Sequence, residues 1–256
     1  MNSLIVLLLG LACVCAYQDH SSRIVNGQEA QVGQFPIQVF LDLTLKTNDK
    51  SRCGGSLLSD RWVLTAAHCF DNLKDIQVFV GAHDISKSDE LNRQTRKVAK
   101  YLQHEKYDQS TLEYDIGLLK LATPIICNDY AKLTKLNKDK SKTFVGKTAT
   151  VSGWGIFKDF PNFKLPDKLQ YTTLEVQPQE DCKKVWGAYI RDYTICAKHE
   201  KQSICIGDSG GPLTVDGLQI GVVSFGSTPC AQDIPSGFVN VASFLDWIQE
   251  QTGLTL

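Results

Sequence analysis

The chain has 256 residues, a formal net charge of −1, 43% hydrophobic residues and 21% charged residues. That balance is ordinary for a globular protein, and it gives no electrostatic ground for nucleic acid or an anionic membrane as a partner. No stretch reaches the roughly 18 consecutive apolar residues that span a bilayer.

In chain order, the first predicted element lies outside the fold. Leu4 to Ala12 is apolar, and Val14-Cys15-Ala16 ends in small residues suited to signal-peptidase cleavage. Residues 1–16 therefore read as a secretory signal, and the mature protein is expected to be extracellular. After Ile24 short strand signals dominate. Ile37-Gln38-Val39-Phe40 alternates, while Gln77–Gly81, Thr148–Ser152, Gln170–Val176 and Leu218–Phe225 are short β-branched or aromatic runs. Gly, Pro, Asn and Asp punctuate them, which predicts an all-β sandwich or barrel. Lys132 to Lys142 is lysine-rich and reads as a solvated connector between two halves. Val241, Phe244, Leu245 and Ile248 share one helical face and Gly253 is a stop signal. A C-terminal helix packed on the strands is predicted there.

Cleavage after Ala16 removes Cys13 and Cys15 and leaves Cys53, Cys69, Cys127, Cys182, Cys196, Cys205 and Cys230. In a secreted chain this set reads as a disulfide framework whose pairing the sequence alone does not choose. The odd one is Cys127, at the end of the apolar Ile125-Ile126, and it is read as a buried free thiol, with an intermolecular bridge as the alternative. No Cys-x-x-Cys pair occurs in the mature part, so a zinc site is not expected.

The chemistry concentrates at Gly207-Asp208-Ser209-Gly210-Gly211-Pro212. A serine hydroxyl is a weak nucleophile at neutral pH and needs an adjacent base. The glycines leave backbone N–H groups able to face an oxygen that becomes negative during reaction. His68, in Thr65-Ala66-Ala67-His68-Cys69, is the candidate base, and Asp115, in Tyr114-Asp115-Ile116-Gly117, is the candidate orienting group. Many aspartates merely start turns, and His83, His104 and His199 lack partner motifs, so it is the combination that carries the signal.

These residues, with Arg23-Ile24-Val25-Asn26-Gly27, Cys53-Gly54-Gly55-Ser56-Leu57, Ser152-Gly153-Trp154-Gly155 and Ser224-Phe225-Gly226, occur in the order of a known family. From about Ile24 to its C-terminal helix the chain resembles the secreted chymotrypsin-like serine proteases. The resemblance implies two six-stranded antiparallel β-barrels with a cleft between them: the first at about 24–135, the second at about 143–240 and the helix at about 241–252. It implies a catalytic triad of His68, Asp115 and Ser209, and an oxyanion hole from the N–H groups of Gly207 and Ser209. It also implies disulfides Cys53–Cys69, Cys182–Cys196 and Cys205–Cys230, each worth roughly 3 kcal/mol by chain entropy.

The same resemblance makes residues 17–23 a propeptide, cut after Arg23 by a trypsin-like activating protease, in a protease domain of residues 24–256. The freed Ile24 amine would then pair with Asp208. Ser203, six residues before the nucleophile, would form the floor of the specificity pocket. Ser224, Phe225, Gly226 and Ser236 would line it, with Trp186 behind the wall. An uncharged floor cannot offset desolvation of a substrate cation, so cleavage after Phe, Tyr, Leu or Trp is expected. Ser236 stands where glycine is usual and would shorten the pocket toward Leu or Met. Phe157, Phe160 and Phe163 are candidate substrate contacts. Ala82, in Gly81-Ala82-His83-Asp84, replaces the first carboxylate of a calcium loop, so neither metal nor cofactor is expected.

The implied function is a secreted, monomeric digestive endopeptidase acting on protein or peptide substrates, with protein inhibitors as further partners. The alternatives are a broader collagenase-like or elastase-like protease, and a non-catalytic homologue that only binds partners. Retention of all three triad residues weighs against the last.

Overall fold

Apolar alternation becomes strands almost everywhere it was read. The computed structural model describes residues 27–156, 164–230 and 232–256. The signal segment, the Arg23-Ile24 junction, Phe157, Phe160 and Phe163 lie outside the described residues. The strands are β1 (Gln28–Glu29), β2 (Gln38–Leu45), β3 (Lys50–Leu57), β4 (Trp62–Thr65), β5 (Leu73–Val80), β6 (Gln94–Gln103), β7 (Gly117–Leu121) and β8 (Lys135–Leu136). They continue with β9 (Thr148–Gly153), β10 (Gln170–Gln177), β11 (Thr194–Lys198), β12 (Pro212–Val215), β13 (Leu218–Phe225) and β14 (Ser236–Asn240). Helix α1 (Gln179–Trp186) precedes β11, and α2 (Leu245–Thr252) ends the fold.

Strands β2-β3-β4-β7-β6-β5 close into one antiparallel barrel. Strands β9-β10-β11-β14-β13-β12 form the second, closed because β9 pairs with both β10 and β12. Closure removes the unpaired edges that an open sheet would expose. Leu41, Leu57, Leu64, Val78 and Leu118 fill the first barrel, and Val151, Leu174, Leu213, Ile220 and Phe238 fill the second. Each such side chain contributes about 2 kcal/mol on burial. The two barrels touch where Ser152 donates to Gln38 Oε1 at 2.7 Å and where the Gly54 N–H donates to the Ser209 carbonyl at 2.7 Å.

The C-terminal segment begins as a 3₁₀ turn, Val241–Phe244, capped by the Asn240 side chain, and becomes α-helical at Leu245. Gly253 closes it in the left-handed conformation, where glycine carries no Cβ penalty. Val241, Phe244, Leu245 and Ile248 belong to the same buried cluster as Leu64 and Leu118. The same cluster holds Val222 of β13 and Val239 of β14, so the segment packs where the two barrels meet. No helix among the described residues is long and apolar enough to cross a membrane.

One expectation gains detail and one needs correction. Lys132–Lys142 joins the two barrels and is mostly exposed, and it is also stitched to both: the Lys132 and Thr134 N–H groups donate to Pro36 and Leu57, and β8 runs parallel to β13. Buried Gln219 makes the stitch, accepting from Thr134 Oγ1 and, through its carbonyl, from the Asn137 N–H. Cys127 is a free thiol but exposed, not buried. The extended chain turns Ile125 inward, and Gln94 ties the Ile126 backbone outward through two hydrogen bonds.

Candidate active site

His68 sits on the 3₁₀ turn Ala67–Phe70 that follows β4, and the Cys53–Cys69 disulfide anchors this turn to β3. Asp115 immediately precedes Ile116 and β7 and is fully buried. Antiparallel pairing of β4 with β7, Thr65 opposite Gly117, brings the two residues together. His68 Nδ1 lies 2.7 Å from Asp115 Oδ2, and the His68 backbone N–H donates to Asp115 Oδ1 at 2.9 Å. Ser224 adds a third bond, donating to Oδ2 at 2.6 Å. A carboxylate held by three donors is fixed in orientation and fixes the imidazole in turn.

Burial is the largest single influence on His68 and pushes its pKa down. The Asp115 charge, the Asp115 hydrogen bond and the Asp71 charge together outweigh it, and the net shift is upward from imidazole's ordinary value. Asp71 is itself held by the Tyr107 hydroxyl and the Gln103 amide.

Ser209 lies on the turn between Cys205 and β12. Its carbonyl accepts from Gly54, and Cys69 Sγ is 3.7 Å from the same oxygen. Gly210 packs so tightly on Thr65 and Ala66 that a side chain there would collide with the Thr65 hydroxyl. The serine turn is thus pressed against the segment that carries His68. Cys205–Cys230 ties this turn to the chain beyond β13, and Cys182–Cys196 ties α1 to β11.

Asp208 points inward and is fully buried. Its carboxylate accepts from the N–H groups of Gly155 at 2.8 Å and Cys205 at 3.0 Å. Burial pushes its pKa up to about 6, against the lowering effect of those two bonds. A Cβ on Gly153 or Gly155 would collide with this carboxylate. That explains Gly153-Trp154-Gly155, a motif whose spacing alone gave no reason for its glycines.

The Ile206 carbonyl accepts from the Ile156 N–H at 2.9 Å. In a trans peptide the N–H points opposite to the carbonyl, so the Gly207 N–H is turned away from Ile156. Gly207 has φ +103°, open to glycine and rarely to other residues. This orientation points the Gly207 N–H away from the segment that holds the Ile206 carbonyl.

Beside Ser209 lies a cavity of about 180 Å³, lined among others by Ile204, Ile206, Ser224, Phe225, Gly226 and Ser227. Ser203 and Ser236 do not line it; both are buried, 4% and 2% exposed, with their hydroxyls 3.3 Å apart. Ser236 Oγ reaches within 3.3 Å of where a Gly226 Cβ would stand, so Ser236 closes in on the wall that Gly226 forms. Trp186 donates from Nε1 to the Pro235 carbonyl at 2.6 Å and meets the Phe225 ring edge-on at 5.3 Å. The Phe225 ring lies directly over Gly237, which has no side chain to displace it. The sequence did not single out Gly237; a glycine inside a strand run was the available signal.

A larger groove of about 560 Å³ between β5 and β6 contains none of these residues. In the loop where no metal was expected, the Glu90 carboxylate accepts from the His83 and Asp84 N–H groups at 2.9 and 2.8 Å.

Comparisons agree with this geometry. A sequence model of the family described as Trypsin matches residues 24–248. A chymotrypsin of Phaedon cochleariae is 36% identical over 234 residues, covering 90% of this chain and 83% of the relative. A brachyurin of Leptuca pugilator is also 36% identical over 234 residues, covering 91% of this chain and all of the relative. The solved structure of HL collagenase superposes with a TM-score of 0.82 at 33% identity, covering 91% of this chain and 100% of that one. The chain belongs to the trypsin family of serine endopeptidases.

Proposed function

We propose that this protein is a secreted, monomeric digestive endopeptidase, made as a zymogen, that cleaves after medium to large apolar residues. The observation that carries the reading is the buried Asp115 carboxylate gripping both the ring and the backbone of His68, with the Ser209 turn packed on the disulfide beside it. His68 takes the Ser209 proton as the hydroxyl attacks the substrate carbonyl and returns it to the leaving amine. The N–H groups of Gly207 and Ser209 receive the developing oxyanion, and water then hydrolyses the acyl-enzyme.

Residues 1–16 act as signal and 17–23 as propeptide, removed after Arg23 by a trypsin-like protease. A buried Asp208 whose described partners are neutral N–H groups supports this activation, because an ammonium delivered from Ile24 would stabilise its charge. The uncharged Ser203–Ser236 pair and the converging walls support Leu, Met, Phe and Tyr over Trp and Arg before the scissile bond. The relatives named brachyurin and HL collagenase support a second reading, a broader collagenase-like specificity.

One experiment tests both. The protein is processed with trypsin, the trypsin is inhibited, and peptides differing only before the scissile bond are compared alongside native collagen. Leu, Met, Phe and Tyr peptides are expected to be cleaved fastest, with Ser209→Ala inactive. A preference for Arg overturns the pocket reading, and turnover by Ser209→Ala overturns the mechanism. Efficient cleavage of native collagen selects the second reading.

A further inference from the structure

We infer that Arg52 is a positioning residue for the oxyanion hole, its methylene stem forming the wall that keeps the Ile206–Gly207 peptide turned with its N–H outward. The inference rests on the proposed role of Gly207. Arg52 stands on β3, directly before Cys53, and its side chain crosses from the first barrel toward the second. Nη1 donates to the Trp154 carbonyl at 3.3 Å and the Pro166 carbonyl at 3.2 Å. The guanidinium lies 5.8 Å from the centre of the Phe40 ring. The head of the side chain is thereby held at three points.

The stem is what reaches Gly207. A Cβ on Gly207 would stand 3.0 Å from Gly155 Cα and 3.1 and 3.3 Å from Arg52 Cγ and Cδ. The face of Gly207 that carries a side chain in other residues is therefore filled by Gly155 and the Arg52 stem. This packing matters because glycine at φ +103° has little intrinsic resistance to rotation. A flip of the Ile206–Gly207 peptide would replace the outward N–H with a carbonyl oxygen, which repels a developing negative charge.

Two contacts oppose that flip. The Ile156 N–H holds the Ile206 carbonyl, and Gly155 with Arg52 holds Gly207. Arg52 contributes to both, since the Trp154 carbonyl it grips begins the segment that carries Gly155 and Ile156. A donor aids catalysis only if it is aimed before the charge appears. Arg52 provides that aim through Gly207 and the Gly155–Ile156 segment.

The test uses the processed full-length protein with Arg52→Ala and Arg52→Met. Methionine keeps an unbranched stem and drops the guanidinium. Rates on a peptide anilide are compared with inhibition by a peptide aldehyde, whose adduct oxygen occupies the oxyanion position. The matching peptide alcohol serves as the ground-state control. Arg52→Ala is expected to lower kcat by about 10- to 100-fold, less than the roughly 100- to 1,000-fold cost of deleting an oxyanion donor outright, because the donor is misaimed and not removed. KM should stay within about twofold, aldehyde affinity should fall in parallel with kcat, and alcohol affinity should not change. Arg52→Met should recover most of kcat, and the acid limb of the pH profile should stay at its wild-type position.

If Arg52→Ala does not fold, Arg52→Val, suited to a strand, carries the same expectation. Wild-type kcat and aldehyde affinity in Arg52→Ala overturn the inference alone. Equal losses for aldehyde and alcohol, or Arg52→Met as impaired as Arg52→Ala, overturn it as well. A wild-type enzyme that binds the aldehyde no better than the alcohol refutes the role of Gly207 and the inference with it.

Discussion

Tyr114 holds φ +54° directly before Asp115, a conformation that bulky side chains rarely adopt. Its surroundings enforce it: the Tyr114 N–H donates to the Tyr193 hydroxyl at 3.2 Å, and its ring stacks on His104 at 4.9 Å. The backbone that aims Asp115 is thus held from the second-barrel side by Tyr193 and from the first by His104, just after β6. Ser224 completes the aim from β13. Removing its hydroxyl leaves more charge on Asp115 Oδ2 and so favours the His68 imidazolium. In the wild type the acid limb of kcat/KM should have its midpoint above imidazole's ordinary value, because the His68 pKa is raised and the neutral form is the base. In Ser224→Ala that midpoint should move higher by up to about one unit, with a loss of roughly tenfold or less on the plateau. A pH–rate profile checks both, and a downward move would contradict the geometry. The contact of His68 with Asp115 and the closeness of the Ser209 turn were legible in the sequence because the motifs that carry them sit in a recognisable order. Arg52 and Tyr114 were not, since neither a packing stem nor a positive φ leaves a sequence signal.

At the level of elements, the predicted strands Gln170–Val176 and Leu218–Phe225 appear almost residue for residue as β10 and β13. Their side chains face a core and carry the apolar pattern. β8 escaped notice because two residues in a lysine-rich run have no period to read, and its partner lies more than eighty residues away. The turn carrying Asp208 and Ser209 makes a sharper claim. A folded-state pKa near 6 exceeds the ordinary aspartate value, so between about pH 4 and 6 the folded state binds more protons than the unfolded one. Stability contributed by this group is complete below the unfolded pKa and is lost as pH rises through the folded one. The loss is roughly 3 kcal/mol, from a shift of about two units. Urea unfolding of the unprocessed protein across this range should show it, Asp208→Asn should abolish it, and processing should shrink it by supplying the Ile24 ammonium. An equal pH dependence in Asp208→Asn would remove the carboxylate from the account.

For the molecule as a whole, the resemblance anticipated two barrels but not the way they are locked. Hydrophobic periodicity shows that a helix buries Val241, Phe244, Leu245 and Ile248; it does not show against which barrel. The answer is the seam between them, through a cluster that includes Val222 of β13 and Val239 of β14 as well as first-barrel side chains, and Trp247 lies 5.0 Å from the His104 ring and donates to Glu105 at 2.9 Å. Trp247→Ala should therefore cost about 3 to 5 kcal/mol of unfolding free energy, read from urea titrations, while kcat per folded molecule stays close to wild type. A change of under 1 kcal/mol would show that the helix merely decorates the surface.

This arrangement reaches back to how the protein is made. A ribosome delivers the first barrel early and the segment that covers its apolar flank last, after the whole second barrel has been translated. Until then His104 and Glu105 lack the Trp247 ring that packs on them. The packing between the two barrels is therefore completed only when the last residues of the chain have emerged.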